Sequence, residues 1–256
     1  MKKRVVLLAF LLPLLQASAQ QPSAEEIMNK SRELSLAGTI NANIGLTITE
    51  KSGAVRNRKI SLTSKSYPDG TEKRLIKFIE PADVRGTAML VNDLKQSSDE
   101  MWIYLPALKK TRRIVSSEKG KSFMSSEFSN ADMSSPSLSD FTNKHLPTSG
   151  RTGQWIIESI PVNDDKASEY GYSKKISYLS TDTYQIQKME FYDFDNELFK
   201  TIEIKSIYPL PGGKYIIKDM LASNLSNNRK SEIQFSNIEA DVKIDDSIFT
   251  LQNLER

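Results

Sequence analysis

Residues 99–133 read DEMWIYLPALKKTRRIVSSEKGKSFMSSEFSNADM and contain three kinds of sequence in succession. The first is an apolar and aromatic run over 101–105 that ends at Pro106, and such a run is typical of a strand buried on both faces. A basic cluster follows, and a serine-rich segment with scattered apolar side chains comes last. That segment is too apolar for a free linker and too irregular for a long helix. We therefore expect a loop or short helices folded over another part of the protein.

The sequence before this run predicts one helix followed by strands. Ser23 and Glu26 match a capping box, and apolar residues at helical spacing follow, so we predict a helix over 24–36. Every second residue from 40 to 48 is apolar, which indicates a strand with one dry and one wet face. Further strands are predicted over 56–65, 72–79, 87–92, 100–105 and 111–116.

The strand pattern breaks between residues 116 and 153 and then returns. Ser, Asn, Thr, Pro and Gly dominate this irregular region, and a structureless loop of such length is uncommon and usually functional. We predict short helices and turns that form a lid. Later strands are predicted over 155–160, 174–179, 184–193, 198–208, 214–224 and 231–238. A slip in the apolar phase between Ile186 and Met189 indicates a bulge.

One helix and about ten or eleven short strands in hairpin succession predict a mainly β, α+β fold. Strands joined by hairpins form an antiparallel sheet, and a sheet with this many strands must curl. We expect an unclosed antiparallel β-barrel with a concave apolar face, an N-terminal helix and a helical or loop lid. A short helical turn is predicted near 245–249.

Three parts of the sequence resemble a branch of the LolA-like bacterial periplasmic proteins, the outer-membrane lipoprotein-sorting family. They are WIYLPALKKTRRI with KSFMSSEFSNADM at 102–133, FIEPADVRGT at 78–87, and DDSIFT at 245–250. The resemblance covers residues 23–254 and implies an unclosed barrel with helices over its mouth. One departure is visible, since Ser125 stands where the form F-M-G-S has glycine.

Composition and charge exclude several classes of protein. The chain has 256 residues, a net charge of +3 and no cysteine. Residues 2–4 supply that charge, and the rest of the chain has 32 basic and 32 acidic side chains and so is close to neutral. A general nucleic-acid binder is usually more basic. The absence of cysteine excludes disulfides, thiolate nucleophiles and cysteine-based metal sites, and also a lipid-anchored cysteine.

The N-terminus has the pattern of a secretory signal peptide. Residues 2–4 are basic, residues 5–15 are apolar, and residues 17–19 read Ala-Ser-Ala, a typical cleavage site. We expect a signal peptide over 1–19 and a periplasmic mature chain from Gln20, with peripheral attachment to the outer membrane left open. An uncleaved anchor is the alternative, although the apolar run is short for a membrane span. Residues 20–256 are expected to form a single half-barrel domain, with its irregular lid over 116–153.

Motifs for catalysis and for metal binding find little support. There is no G-x-S-x-G elbow, and His145, the one histidine, lies in a predicted loop. Residues 120–122 echo the end of a P-loop, but Val115 stands where that motif needs glycine. Residues 193–197 alternate like a calcium loop, yet the sixth position is leucine, so a hairpin turn is the better interpretation. We expect no catalytic residue, no metal site and no cofactor.

Two groups of side chains are candidate functional residues. The apolar residues expected to line a ligand cavity and its lid are Ile44, Leu46, Leu62, Phe78, Trp102, Tyr104, Phe123, Met124 and Phe128, with the face of the 100–105 strand left open. The basic cluster consists of Lys109, Lys110, Arg112 and Arg113. It either docks an acidic partner or anionic lipid head groups, or is only a solvated hairpin tip.

These observations predict a periplasmic carrier or chaperone for lipid or lipoprotein acyl chains, in outer-membrane lipoprotein sorting or lipid transport. Burial would remove the chains from water at about 25 cal/mol per Å². The resemblance implies an inner-membrane transporter as donor and an outer-membrane acceptor; we expect a monomer and no nucleic acid. The alternatives are a secreted lipid hydrolase that uses the same cavity with a serine and His145, and a periplasmic adaptor that binds only protein. A hydrolase would turn over its lipid, whereas a carrier would not. A carrier has an accessible apolar pocket, whereas an adaptor that binds only protein does not need one.

Overall fold

The computed structural model describes residues 21–94, 99–148, 150 and 152–255, so the predicted signal peptide lies outside the described residues. The helices are α1 (Ala24–Ser35), α2 (Ser116–Lys119), α3 (Asp164–Tyr170) and α4 (Leu251–Leu254). The strands are β1 (Thr39–Thr49), β2 (Val55–Ser66), β3 (Glu72–Glu80), β4 (Ala88–Asp93), β5 (Glu100–Leu105), β6 (Lys110–Ile114), β7 (Phe141–Leu146), β8 (Gln154–Pro161), β9 (Lys174–Ser180), β10 (Ile186–Tyr192), β11 (Leu198–Pro209), β12 (Tyr215–Asn224) and β13 (Arg229–Ala240). None of the helices within these ranges is long and apolar enough to cross a membrane.

All thirteen of these strands form one antiparallel sheet in the order β6-β5-β4-β3-β2-β1-β13-β12-β11-β10-β9-β8-β7. The sheet is unclosed, with β6 and β7 at its two edges and the first and last strands paired at its centre. The predicted fold class is therefore confirmed. The predicted bulge is also present, because the β9–β10 register shifts between Ile186 and Lys188.

The sheet has more strands than the ten or eleven expected: twelve correspond to the segments predicted one by one, and the thirteenth, β7, lies inside the region predicted to be irregular. Its side chains explain the miss. Phe141, Asn143 and His145 share one face of the strand, and Thr142 and Lys144 share the other. Two of the three residues on the inner face are polar, so the apolar alternation that reveals a strand is absent.

Helix α1 begins at the predicted capping box. The Glu26 amide donates to Ser23 Oγ at 3.2 Å, and the Ser23 amide donates to Glu26 Oε2 at 2.7 Å. The helix buries Ile27 and Met28 against side chains of β8 and β9. This packing places α1 over the concave face of the sheet.

The core lies mainly on the concave face. Alternate residues of β1, among them Leu46 and Ile48, are fully buried there. The convex face has a smaller cluster, in which Phe249 and Leu254 from the C-terminal end pack with Leu75 and Leu90. The predicted helical turn near 245–249 contains a 3₁₀ turn, Asp246–Ile248.

The segment from residue 115 to residue 140, called the strap below, joins β6 to β7. Because these are opposite edges of the sheet, the strap has to cross the sheet, and it does so on the concave face. Phe123 and Phe128 of the strap are each 1% exposed and belong to the main core cluster. The ring centroids of Phe78 and Phe123 are 5.7 Å apart. The strap therefore completes the core.

A tight turn in the strap has a left-handed backbone at two consecutive residues that are not glycine. The φ angle is 50° at Met124 and 64° at Ser125. This conformation places Cβ too close to the backbone, which costs about 1 kcal/mol or more for each residue. Ser125 is the position where the resembling family pattern has glycine, and the unusual turn is present here without it.

We predict that Ser125→Gly raises the unfolding free energy by about 0.5–1 kcal/mol, because glycine adopts positive φ without the Cβ penalty. Chemical denaturation followed by circular dichroism measures the change. Ser137→Gly is the control, since Ser137 also lies in the strap but has a φ of −62°. An equal effect of the two substitutions would contradict the assignment of strain to Ser125.

Candidate functional site

A cavity of about 250 Å³ lies between the strap, α1 and the part of the concave face formed by strands β7 to β12. Most of its wall is apolar. The main apolar side chains are Met28 of α1, Phe128 and Leu138 of the strap, and Phe141, Met189, Phe191, Ile202, Ile204 and Met220 of the sheet. Its size is close to the lower end of small-molecule sites, about 300–1,000 Å³.

The cavity exists because the strap changes the size of its inward side chains along its course. Phe123, at the start, packs against Phe78 of β3 and fills the space there. Further along, Ala131, Ser134 and Ser135 line the cavity. Ser135 turns toward Arg74 of β3, and Ala131 and Ser134 are too short to fill the space in front of the strands opposite, so an apolar space remains.

A row of residues that are polar except for Phe191 crosses the inner face of the sheet at one level. Strand register places them directly opposite one another from β7 to β13 in the order Asn143, Ser159, Lys175, Phe191, Lys200, Asn224 and Arg229. We call this row the polar rung. Ser159 Oγ donates to Asn143 Oδ1 at 2.6 Å. The cavity wall includes Asn143, Ser159 and Lys175.

Two cations of the polar rung are paired with acids of the strap. Lys200 Nζ lies 2.8 Å from Asp132 Oδ2, and the Arg229 guanidinium lies 2.9 Å from Glu127 Oε1. All four side chains are largely shielded from water. These pairs fasten the strap to the sheet across the concave face.

The third cation, Lys175, has no such acid. Within the described ranges no carboxylate lies at ion-pair distance from its ammonium, which is 5.3 Å from the centroid of the Phe141 ring. Burial lowers the pKa of Lys175 to about 8; Asp132 opposes the shift and Lys200 adds to it. The cavity wall therefore carries a half-buried ammonium group that has no acid of the described chain at ion-pair distance.

Arg74 of β3 anchors the strap at another point. Its guanidinium lies 2.6 Å from both Glu72 and Asp93, and it donates to the Met133 carbonyl at 3.0 Å and to Ser135 Oγ at 2.7 Å. Two carboxylates share this one buried cation. Burial raises the pKa of Asp93 to about 7, Arg74 opposes that rise, and the nearby carboxylates add to it.

The two ends of the strap are bound by further polar contacts. Lys119 of α2 donates to Glu169 of α3, and both side chains are buried. Near the other end, Tyr170 donates to Asp140 Oδ2 at 2.6 Å. With the anchors at Arg74, Lys200 and Arg229, these contacts hold the strap at several points along its length.

The structure brings most of the predicted apolar site residues together, although chiefly beside the cavity. One buried cluster contains Ile44, Leu46, Leu62, Phe78, Phe123 and Phe128, with Met124 packed against it. Of these, Phe128 also lines the cavity. Trp102 and Tyr104 lie on the convex face with Phe249 and Leu254, while Met101 and Ile103 turn inward.

Sequence reasoning did not find Lys175, Asn143 or Ser159. Residues 174 and 175 are both lysine, and a strand pattern alone cannot tell which of two adjacent lysines faces inward. The pairing of β9 with β8 and β10 decides this, because it places Lys175 between Ser159 and Phe191.

All four cations of the basic cluster are exposed around the turn between β5 and β6. Lys109 occupies the turn itself with a φ of 46°. Arg112 lies 2.6 Å from Glu118, and Arg113 lies 3.5 Å from Glu100. Exposed pairs of this kind contribute little to stability, about 0–1 kcal/mol.

The residues weighed for catalysis and for calcium binding have other contacts. His145 lies on β7, where its Nε2 is 2.9 Å from the Pro22 carbonyl oxygen. Among the described residues no serine hydroxyl is hydrogen-bonded to His145. The Asp193 carboxylate accepts from the amides of Asp195 and Glu197 in the β10–β11 turn, which confirms the hairpin interpretation.

Fold and cavity together define an unclosed antiparallel β-barrel with an apolar cavity on its concave face, and solved structures share the fold. A domain from Vibrio parahaemolyticus assigned to outer membrane lipoprotein sorting is 27% identical, with a TM-score of 0.83 over 91% of this chain and 98% of that one. A DUF1329 family protein from Desulfovibrio piger is 26% identical, with a TM-score of 0.81 over 90% and 97%. A LolA superfamily protein from Nitrosomonas europaea shares the fold at 17% identity, with a TM-score of 0.71 over 91% and 100%.

A family profile with the description "Uncharacterized protein" matches residues 70–256. No curated protein matches the chain. Taken with the solved structures, these findings show that the chain belongs to the LolA-like family. The resemblance seen in the sequence is thereby confirmed.

We predict that Asp93→Asn changes how stability depends on pH. A carboxyl whose pKa is raised on folding stabilises the folded state at low pH and loses that contribution as pH rises through about 7. Asparagine keeps the shape without titrating. The unfolding free energy of the variant relative to wild type should therefore increase by more than about 1 kcal/mol between pH 5 and pH 8.5.

Denaturant titrations at the two pH values measure this difference. Asp195→Asn removes an exposed carboxylate in a hairpin turn and is the matched control. If Asp93→Asn and Asp195→Asn show the same pH dependence, the raised pKa of Asp93 is contradicted.

Proposed function

We propose that this protein is a periplasmic carrier or chaperone that holds acyl chains of lipids or lipoproteins in the 250 Å³ cavity, and that it catalyses no reaction. Its role would be outer-membrane lipoprotein sorting or lipid transport. The observation that carries the proposal is the cavity, an apolar space left unfilled between the strap and the concave face. An acyl chain placed there leaves water at a gain of about 25 cal/mol per Å² of apolar surface.

The relatives support this assignment. The Vibrio parahaemolyticus domain is assigned to lipoprotein sorting, and its match covers nearly the whole of both chains. The signal-peptide pattern of residues 1–19 supports a periplasmic location for the proposed carrier.

Most of the predicted apolar residues lie beside the cavity, in the filled part of the concave face, and in this proposal they hold the cavity wall in place. Phe128 contacts the ligand directly, because it belongs both to the cavity wall and to the core cluster. Ile44, Leu46, Leu62, Phe78, Phe123 and Met124 hold the strap and Phe128 in place. Trp102 and Tyr104 lie on the other face of the sheet and act only through stability.

Loading and release need partners, because burial alone would retain the ligand. A donor and an acceptor shift occupancy only through differential binding to the loaded and empty states. We propose an inner-membrane transporter as donor and an outer-membrane acceptor, with the carrier acting as a monomer. The exposed basic cluster is the proposed docking surface.

We predict that Ile204→Trp blocks the cavity. Ile204 is a half-buried residue of β11 in the cavity wall, so a larger side chain occupies ligand space. Wild type should take up the uncharged probe N-phenylnaphthylamine with a rise in its fluorescence, and the variant should bind it at least about tenfold more weakly. Glu203→Trp puts the same ring on the opposite face of β11 and should bind like wild type.

Circular dichroism checks that both tryptophan variants remain folded. A wild-type protein that takes up no uncharged probe would overturn the carrier proposal. Equal probe binding by Ile204→Trp and wild type would show that the ligand site lies elsewhere.

We predict that reversing the charge of the basic cluster weakens docking without unfolding the protein. Lys109, Lys110, Arg112 and Arg113 are replaced by glutamate, and the melting temperature should change little because exposed substitutions cost about 0.5 kcal/mol or less each. Binding to vesicles that contain phosphatidylglycerol, measured by co-sedimentation, should fall, and wild-type binding should weaken with added salt.

Reversal of the scattered exposed lysines Lys51, Lys214, Lys218 and Lys243 gives the same change in net charge and is the control. If both variants lose vesicle binding equally, net charge and not the cluster is responsible. A large loss of stability with vesicle binding intact would assign the cluster a structural role.

A further inference from the structure

We propose that the ligand is an anionic single-chain amphiphile, a fatty carboxylate, whose head group binds the Lys175 ammonium inside the barrel while its chain fills the apolar part of the cavity. This inference rests on the proposed carrier function and adds to it the charge and polarity of the ligand. It makes Lys175 the residue that determines specificity at the site.

The first argument is the balance of charge inside the barrel. The polar rung presents three cations to the concave face, Lys175, Lys200 and Arg229. Asp132 of the strap is paired with Lys200, and Arg229 is paired with Glu127 of the strap and also with Glu50, so none of these acids is at ion-pair distance from Lys175. One positive charge in the cavity wall therefore remains without an acid from the protein.

The second argument is the cost of leaving that charge alone. Lys175 is half-buried, and an ammonium group that has lost part of its hydration is disfavoured unless it is paired. The Phe141 ring, 5.3 Å from Nζ, offers only a partial cation–π compensation of about 0.5–2 kcal/mol. A carboxylate brought by the ligand would form a charge-assisted hydrogen bond and supply the missing partner.

The third argument is the division of the cavity wall into polar and apolar parts. Lys175, Asn143 and Ser159 are neighbours on the polar rung and line the cavity together. Ser159 Oγ donates to Asn143 Oδ1 at 2.6 Å, and within the described ranges the carboxamide nitrogen of Asn143 makes no hydrogen bond. That nitrogen is a second donor for an oxygen of the head group.

The wall becomes apolar along the strands that lead away from the polar rung. On β11 the inner residues after Lys200 are Ile202 and Ile204, and Met189 and Met220 lie opposite them on β10 and β12. From Lys200 to Ile204 is about 13 Å at the rise of a strand. An extended hydrocarbon chain with its carboxylate at Lys175 follows this direction.

The size of the cavity favours one chain over several. Its volume of about 250 Å³ is near the lower end of ordinary ligand sites. A single-chain carboxylate is therefore a better match than a phospholipid with two acyl chains.

The ammonium state of Lys175 makes binding depend on pH. Its lowered pKa of about 8 means that Lys175 is protonated at neutral pH and loses its charge as pH rises to 9.5. Burial raises the pKa of both Tyr170 and Tyr172, so these two phenols stay neutral over this interval. Burial also raises the pKa of Tyr215, the third phenol of the wall. The other charged groups of the cavity wall are Arg32 of α1 and Asp132 of the strap, and Asp132 is paired with Lys200 of β11.

The test compares dodecanoate with the uncharged dodecanol by isothermal titration calorimetry on the mature protein. Wild type should bind dodecanoate about 10- to 100-fold more tightly, the value of one charge-assisted hydrogen bond. Lys175→Met should remove this preference and leave dodecanol binding intact, and Lys175→Arg should retain it. The wild-type preference should also shrink between pH 7 and pH 9.5.

Lys174→Met is the matched control, because Lys174 is the next residue on β9 and lies on its opposite face. It should leave the preference unchanged, and circular dichroism confirms that each variant is folded. A wild-type protein that binds both ligands equally, or a Lys175→Met variant that keeps the preference, overturns the inference while the carrier function stands. Binding of neither ligand overturns the carrier function as well.

Discussion

The connection between the two edges of the sheet is the constraint on which the rest of this structure depends. The sheet order runs from β6 at one edge to β7 at the other, and these strands are consecutive along the chain. The strap that joins them has to pass from one edge to the other, and it does so across the concave face, where Phe123 and Phe128 enter the main core cluster. A segment rich in serine therefore enters the interior, where its backbone and its charged residues need partners from the sheet.

Those needs explain why buried charges are concentrated between strap and sheet. Arg74 binds the strap near Ser135, Lys200 binds Asp132, and Arg229 binds Glu127. Burial of such pairs is not an efficient source of stability, since the cost of removing charges from water offsets much of their attraction. These pairs fix the position of the strap, because each pair sets one part of the strap opposite one strand. The space left between the strap and the sheet is the cavity.

The cavity and the uncompensated cation have the same origin. Where the strap carries Phe123, the concave face is filled; where it carries Ala131 and short serines, an apolar space remains. The strap has acids for Lys200 and Arg229 but none for Lys175, which borders that space. A chamber of this kind suits a ligand with an apolar body and a negative end, in keeping with membership of the LolA-like family.

Local pattern alone determined much of this protein: the capped helix α1, twelve of the strands, the bulge after Ile186 and the open barrel, because period and capping depend on neighbours in the chain. The sequence pattern did not predict strand β7, because two of its three inner residues are polar. Only tertiary structure decided that Lys175 and not Lys174 faces inward, that Trp102 lies on the convex face, and which course the strap takes. Each depends on pairing between residues far apart in sequence, and a one-residue change of register would reverse every inward and outward side chain of a strand.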